Sequence, residues 1–446
     1  MRTKLLTSLA LAFLFLGYTQ EKKQSFSLEE AVSFALENNY SAINAERDIR
    51  DAKKQKWQTI ASGLPQINGT ISYQNQLKQP VSVIPAEIFG GEPGTFAEVV
   101  FGQPQTANAT ATLRQQIFDG SYIVGVQAAK VFLNYSANNQ EKTKLEIRKA
   151  VSEAYGNVLL ANESVSIVEK NIIALEKNLE ETTKIFENGL GEEESVEQLQ
   201  ITLSSVKQQL KNGIRLQGIT LQMLNLIMGI PIEEPTVLTD NLDRLTEQQI
   251  KLDLLETNLD INNNIDYKLA KNLNQQRFYE HKLAKSRALP TLNAFVNYGT
   301  SGFAEDFNFL QSDQQWFDSS ILGFDLSIPI FSSFQRNAGT QRAKIALDKA
   351  KTQLVEAEQK IRLQLENAKS NYILAIDQYQ TAKDNLRLAE RIEKKNQIKY
   401  TEGLASSFDR RQAQTQLYSV QQEYLQSMVT VITKKTELEI ILNKEY

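Results

Sequence analysis

Residues 151–190 read VSEAYGNVLLANESVSIVEKNIIALEKNLEETTKIFENGL. Val151, Val158, Val165, Ile172, Leu179 and Phe186 recur at every seventh position, and Ala154, Ala161, Val168, Leu175 and Thr182 fill the second seam of the same heptad. A sustained heptad predicts a left-handed coiled coil rather than a helix of a globular core. The proline map widens that reading. No proline lies between Pro104 and Pro231, and none follows Pro329. Proline costs about 3 kcal/mol inside a helix, so two long helices are expected, over 121–188 and 335–402. At ~1.5 Å per residue each would be ~100 Å long.

The two helices belong to a tandem repeat. At a shift of 214 positions, Phe186-Glu187-Asn188-Gly189-Leu190 meets Tyr400-Thr401-Glu402-Gly403-Leu404. Upstream, Leu64-Pro65-Gln66-Ile67-Asn68 meets Leu289-Pro290-Thr291-Leu292-Asn293, and Ile117-Phe118 meets Ile330-Phe331. The spacing between these two matches differs between the copies, which implies a loop that tolerates insertion. The first repeat is placed at 20–235 and the second at 236–446. Each reads helix, strand, loop, strand, long helix, turn, helix. Ser27 with Glu30 forms a capping box that opens one helix running to Gly63-Leu64-Pro65.

Between the helices the period changes to two. Strands are expected over 66–78, 108–118, 291–298 and 320–330. Ile67, Gly69, Ile71 and Tyr73 take one face of the first; Asn68, Thr70, Ser72 and Gln74 take the other. Leu322, Phe324, Leu326, Ile328 and Ile330 give the last an apolar side against Gly323, Asp325 and Ser327. Strands of ~10 residues with this alternation suit a membrane-spanning barrel. Four strands cannot close one alone, so a membrane reading demands oligomerisation. Residues 79–106 and 299–318 are expected as loops, and 229–255 as a linker wrapping the helices.

Composition removes other classes. With no cysteine, disulfides and thiolate metal sites are excluded. His281 is the one histidine, which excludes multi-histidine metal centres. A balance of 49 basic and 53 acidic residues argues against a nucleic-acid binder. No Walker run or acid–base constellation stands out, so neither a cofactor nor an enzyme activity is expected. At the N-terminus, Arg2 and Lys4 precede an apolar run from Leu5 to Leu16, then Gly17-Tyr18-Thr19. This is a signal-peptide pattern over 1–19, with cleavage near Gln20.

Taken together, the paired Leu-Pro helix stops, the Gly-Leu turns and the tandem helix–hairpin–helix units resemble the TolC family of outer-membrane efflux channels. The run from Tyr400 through Gly403 and Asp409 to Leu417 is similar to that family's tip signature. The resemblance implies a mainly α fold with a small β part. It implies a homotrimer whose four strands per chain build a 12-stranded transmembrane barrel, continued by a periplasmic α-barrel. It also implies outer-membrane lipid around the strands, and a periplasmic adaptor and an inner-membrane pump as partners, with the channel itself passive.

Residue-level expectations gather at the tip turns, 189–191 and 403–405. Gly189, Leu190, Gly191, Gly403 and Leu404 turn each long helix into its partner, and by resemblance they dock the adaptor. For the glycines alone, an unpartnered turn is the better explanation; an exposed leucine on a turn has less other reason to be there. Glu192, Glu193 and Glu194 suit the first turn of a helix; in a trimer they would also ring the tip with carboxylates and favour cations. By resemblance, Asp409 matches an aperture aspartate and Tyr400 a gating tyrosine. Gln412 stands where the family has a second aperture aspartate, and Ala405 where it has a gating arginine, with Arg410 and Arg411 nearby. The competing readings are a non-channel coiled-coil spacer of the envelope, which leaves the strands unexplained, and a periplasmic adaptor, which would need one hairpin rather than two.

Overall fold

The computed structural model describes residues 24–444; the leader expected over 1–19 lies outside the described residues. In chain order the elements are β1 (Ser25–Phe26), α1 (Leu28–Asn38), α2 (Tyr40–Ala61), β2 (Gln66–Asn75), β3 (Val81–Pro85), β4 (Phe96–Val100) and β5 (Gln105–Asp119). The helices α3 (Gly120–Glu187) and α4 (Glu193–Met228) follow, then β6 (Val237–Leu238), α5 (Leu242–Gln249), α6 (Asp253–Glu256) and α7 (Ile265–Ser286). The chain ends with β7 (Thr291–Ala304), β8 (Trp316–Ser327), α8 (Gln335–Thr401) and α9 (Ser407–Ile441). The fold is mainly helical with a small β part.

Contacts divide the chain into two compact units. One takes the described residues up to Ile49, Ser136–Lys271, and those from Gln353 onward; the other takes Arg50–Tyr135 and Asn272–Thr352. The helices α2, α3, α7 and α8 contribute to both.

The first unit is packed along the heptad seams. Val151, Val158 and Leu175 of α3 are buried, as are Leu365, Ala368, Tyr372 and Ala375 of α8. Into this core fold α1 and the 229–255 segment, through Ala31, Val32, Leu242, Leu245 and Leu254. The tie is specific. β1 pairs in parallel with β6, and the Tyr155 hydroxyl donates to Asp240 Oδ2 at 2.8 Å and the Phe26 carbonyl at 3.0 Å. Burial pushes the Tyr155 phenol well above its ordinary pKa, so it stays a donor at any physiological pH. Asp240 also accepts the Leu28 N–H at 2.8 Å, anchoring the start of α1.

The Ser27–Glu30 capping box is present, but the single helix expected after it is two. Asn39 leaves the helical region at φ −60°, ψ 136°. Its side-chain oxygen then accepts the Ser41 N–H at 2.7 Å, starting α2 afresh, while its amide donates to the Ile227 carbonyl at 2.6 Å. An asparagine that serves both neighbours replaces helix continuation here. The end of α4 lies against this break. Gly229 has φ +77°, and a Cβ there would meet the Asn38 carbonyl oxygen at 2.2 Å. Gly229→Ala is expected to cost about 1–3 kcal/mol, read as a lower thermal midpoint of the detergent-solubilised protein.

The second unit holds a four-stranded antiparallel sheet in the order β2-β5-β7-β8. Its strand limits depart from the sequence reading. β2 stops at Asn75 rather than 78, beside Pro104, which has no N–H to continue the ladder. β7 and β8 run into both ends of the 299–318 stretch expected as loop: Gly299–Ala304 continue the β5 ladder, and Trp316–Asp318 the β7 ladder, which leaves 305–315 as the loop. The glycines at 299 and 302 read as turn signals, yet both sit in paired strand. β8 ends at Ser327, just before Pro329, short of the expected 330. The 79–106 stretch is not all loop either, because β3 and β4 pair within it.

Candidate functional site

Two places carry functional geometry: one face of the sheet, and the turns at the ends of the long helices.

Directly paired residues in a sheet share a face, so the register tests whether the alternating patterns coincide. Ile67, Ile71 and Tyr73 of β2 lie opposite Leu113, Ala109 and Ala107 of β5. Leu113 and Ala111 lie opposite Val296 and Tyr298 of β7, which lie opposite Leu322 and Ser320 of β8. Leu292 and Ala294 pair with Leu326 and Phe324. One side of the sheet is thus mainly apolar across all four strands, interrupted at Gln115, Thr300, Asp318 and Ser320 and, at the end of the β2–β5 ladder, at Asn75 and Gln105. A bulge between Gln116 and Phe118 brings Phe118 opposite Leu292 and keeps an aromatic on that side. The other side gathers Asn68, Thr70, Thr110, Thr112, Arg114, Asn293, Asn297 and Asp325, with Phe295, Phe303, Phe317 and Ile321 as exceptions.

The apolar side is bare. Ile71 is 86% exposed, and Leu322 and Phe324 are each 67% exposed. Both outer strands, β2 and β8, have one unpaired edge. In water such a face and such edges would be a liability. No described helix is long and apolar enough to cross a membrane.

At the other site, both long helices end in the same motif. The Leu190 N–H donates to the Ile185 carbonyl at 3.0 Å and the Gly189 N–H to Phe186 at 2.8 Å; Leu404 donates to Lys399 at 2.7 Å and Gly403 to Tyr400 at 3.1 Å. This six-to-one and five-to-two pairing needs a left-handed residue at the turn. Gly189 and Gly403 supply it, at φ +73° and +72°. Leu190 and Leu404 then stand 82% and 77% exposed.

The acidic residues divide by role. Glu192, Glu193 and Glu194 are exposed at the start of α4; Glu192 is the N-cap residue but makes no side-chain capping bond. Asp409 is instead held in a capping box. Its Oδ2 accepts the Ser406 hydroxyl at 2.7 Å and the Ser406 N–H at 3.0 Å. Those bonds hold its carboxyl below the ordinary aspartate pKa. A lowered folded-state pKa adds stability above the unfolded value, and this is lost as pH falls through the folded one. The start of α9 is therefore expected to loosen on acidification, seen as faster amide exchange near Ser406 that Ser406→Ala reproduces at neutral pH.

The two hairpins are joined side by side by polar links. Arg410 is buried, and its Nη2 donates to Asn178 Oδ1. Its guanidinium carbon lies 4.8 Å from the Tyr400 ring centre. The Tyr400 hydroxyl is 3.4 Å from Thr182 Oγ1, and the Ser195 and Ser407 hydroxyls are 3.0 Å apart. Behind these links α3, α4 and α9 leave an open groove of about 880 Å³, lined in part by Val165, Val206, Leu210, Gln414 and Tyr418. Burial pushes the Tyr418 phenol up to about 12.

The model of the family described as outer membrane efflux protein matches residues 31–229 and 260–444, well over half of the chain. The chain belongs to the outer membrane efflux protein family. Solved structures agree on the fold. CusC, described in terms of transmembrane channel formation, is 18% identical with a TM-score of 0.73, over 93% of this chain and 92% of its own. The Campylobacter jejuni CmeC outer membrane channel is 16% identical at 0.73, over 96% and 90%. The open state of the Neisseria gonorrhoeae MtrE outer membrane channel is 18% identical at 0.71, over 93% and 88%. A comparison with curated protein sequences returned no match.

As an efflux protein of this family, the chain is an outer-membrane exit channel. Of the residues singled out from its sequence, the structure brings Tyr400 into the hairpin link. It gives Asp409 to a helix cap and leaves Gln412 exposed on α9, outside the link. Asn178, Thr182, Ser195 and Ser407 were not anticipated. Thr182 carried a signal, as the one hydroxyl in the apolar seam. So did Arg410: the 214-residue shift pairs it with Val196, which is buried in α4.

Proposed function

We propose that three copies of this efflux protein close one twelve-stranded barrel in the outer membrane, β2 of each copy pairing with β8 of the next. The observation that carries this is the apolar side of a four-stranded sheet left bare beside two unpaired edges. Closure satisfies the edges, lipid covers the apolar side, and Arg114, Asp325 and the Asn and Thr rows line a wet lumen. The long helices continue the duct into the periplasm. The duct is passive and exports what an inner-membrane pump delivers, within a tripartite efflux or type I secretion assembly. Leu190 and Leu404 fit the docking of a periplasmic adaptor, because each is a large apolar side chain held outward by a fixed turn. The tip is held shut by the Arg410–Asn178 and Tyr400–Thr182 links between neighbouring hairpins.

Single-particle imaging of the chain extracted from outer membranes tests this reading. A threefold particle with a detergent belt at one end is expected; a belt-free rod would reduce the chain to an envelope spacer. The carboxylates make a second test. Glu192, Glu193 and Glu194 changed together to Gln are expected to lower cation preference in planar bilayers, and Asp409→Asn much less, because Asp409 is engaged by Ser406. Unchanged ion selectivity in the triple variant would remove the acidic ring from the gate.

A further inference from the structure

Inside the hairpin link lies a second, far smaller cavity, of about 10 Å³. That is the room one water-sized particle needs. Arg410 and Arg411 line it, together with Thr182, Tyr400, Ser407 and Gln414, and no carboxylate does.

Arg410 is only 6% exposed. Its one side-chain hydrogen bond among the described residues goes to a neutral amide, Asn178, and its Nε is buried without a partner there. Neither Arg410 nor Arg411 makes an ion pair among the described residues. Asp409, adjacent in the chain, gives its carboxylate to Ser406. A buried cation without a counter-charge is costly. Packing does not demand one: at the 214-residue shift Val196 takes the equivalent place in α4 and is buried without charge. Location sharpens the conflict. Ser407 and Arg410 stand in the first turn of the 35-residue α9, where the helix dipole favours anions and disfavours cations.

The rest of the wall can donate. The Tyr400 hydroxyl and Thr182 Oγ1 are 3.4 Å apart, and the Ser407 and Ser195 hydroxyls 3.0 Å apart. Each pair holds two protons and uses one in its own contact, so each keeps a second to give. The side chain of Gln414, which is buried, brings two more N–H donors. Guanidinium, hydroxyl and amide donors around a space one particle wide are the chemistry of an anion site. The same space is too small for sulfate, phosphate or a free carboxylate.

We infer that this cavity holds one halide ion, chloride under physiological salt, which pairs with Arg410 and ties α3, α8 and α9 together at the tip. A water would fill the space but bring no charge. Binding stands apart from the channel reading; the consequence, that the halide tightens the closed tip, rests on that reading and deepens it.

Crystals of the full chain, solubilised in detergent and grown in sodium bromide, test the site directly. Anomalous scattering at the bromine edge is expected to show one peak per chain within hydrogen-bond reach of Arg410 Nε. A cavity filled by water only, or by a carboxylate of the next copy, overturns the inference. Gln414→Glu is the variant. It keeps the side-chain volume and supplies the missing negative charge from the chain itself. The bromide peak is expected to vanish, while the variant melts no lower than the parent in halide-free buffer. Bromide that stays in spite of the carboxylate would overturn the pairing with Arg410. In planar bilayers at equal ionic strength, the parent is expected to open severalfold more often in sodium gluconate, whose anion is too large for the cavity, than in sodium chloride. Gln414→Glu should open alike in both. Bromide in the cavity with openings that ignore the anion would keep the site and remove the link from the gate. Openings that follow the anion with no bromide in the cavity would keep the gate and remove the site.

Discussion

Arg410→Ala is expected to leave the channel assembled and leaking. The side chain is buried between two hairpins, and it makes one charge-assisted hydrogen bond to Asn178 and one contact over the Tyr400 ring. A hydrogen bond to a charged group contributes about 1.5–3 kcal/mol and an exposed-to-buried cation–π contact about 0.5–2 kcal/mol. Part of that gain is spent on desolvation, since Nε has no hydrogen-bond partner among the described residues. If ~2 kcal/mol per chain favours the closed tip, its loss shifts the closed-to-open ratio by roughly thirtyfold. The observable is single-channel conductance in planar bilayers, with longer and more frequent openings. Arg410→Lys should recover little, because a lysine cannot lay a planar guanidinium over the tyrosine ring. Thr182→Val, which removes only the weaker 3.4 Å hydroxyl contact, should have a smaller effect of the same sign. A conductance trace indistinguishable from the parent in Arg410→Ala would mean that the hairpin link is structural and the tip is closed elsewhere.

What could be read from the sequence follows the range of the forces involved. Long helices come from a period sustained over many turns and from the absence of proline, and both signals are repeated often enough that a single exception, such as Glu393 where the second copy's seam answers Leu179, does not matter. The sheet's two-sidedness is also a repeated signal: Ile67, Ile71, Val296 and Leu322 each vote for the same face. Single residues that act through a partner distant in sequence leave no such trace. Asn39 breaks a helix because Ile227 and Gly229 lie against it. Strand β7 runs past Gly299 because β5 is there to pair with it. The hairpin link is the sharpest case. Arg410 could be noticed as a charge where the other copy has Val196, but its direction depends on Asn178, more than two hundred residues away. Asp409 shows the converse: family resemblance gives it an aperture role, while three residues of local geometry with Ser406 decide where its carboxylate points.

The largest expected effect is on the sheet. Leu322 lies midway along β8, 67% exposed on the apolar side and opposite Val296. If that side faces lipid, Leu322→Arg places a cation near the middle of the bilayer, at a cost of about 2–4 kcal/mol per chain. Three copies in one barrel multiply the penalty beyond what the marginal stability of an ordinary fold absorbs. Loss of the outer-membrane trimer is expected, with the chain recovered as aggregated or degraded periplasmic material. Thr70→Arg is the control. It adds the same charge to the same sheet, but on the side shared with Thr110 and Asn68, where a wet lumen accepts it; that variant should assemble normally and change only conductance and ion selectivity. The two variants together discriminate the channel from the envelope spacer. In a water-exposed sheet an arginine at position 322 would cover a bare apolar patch and improve solubility, and the two substitutions would behave alike. Only a bilayer against one side makes one of them ruinous and the other mild.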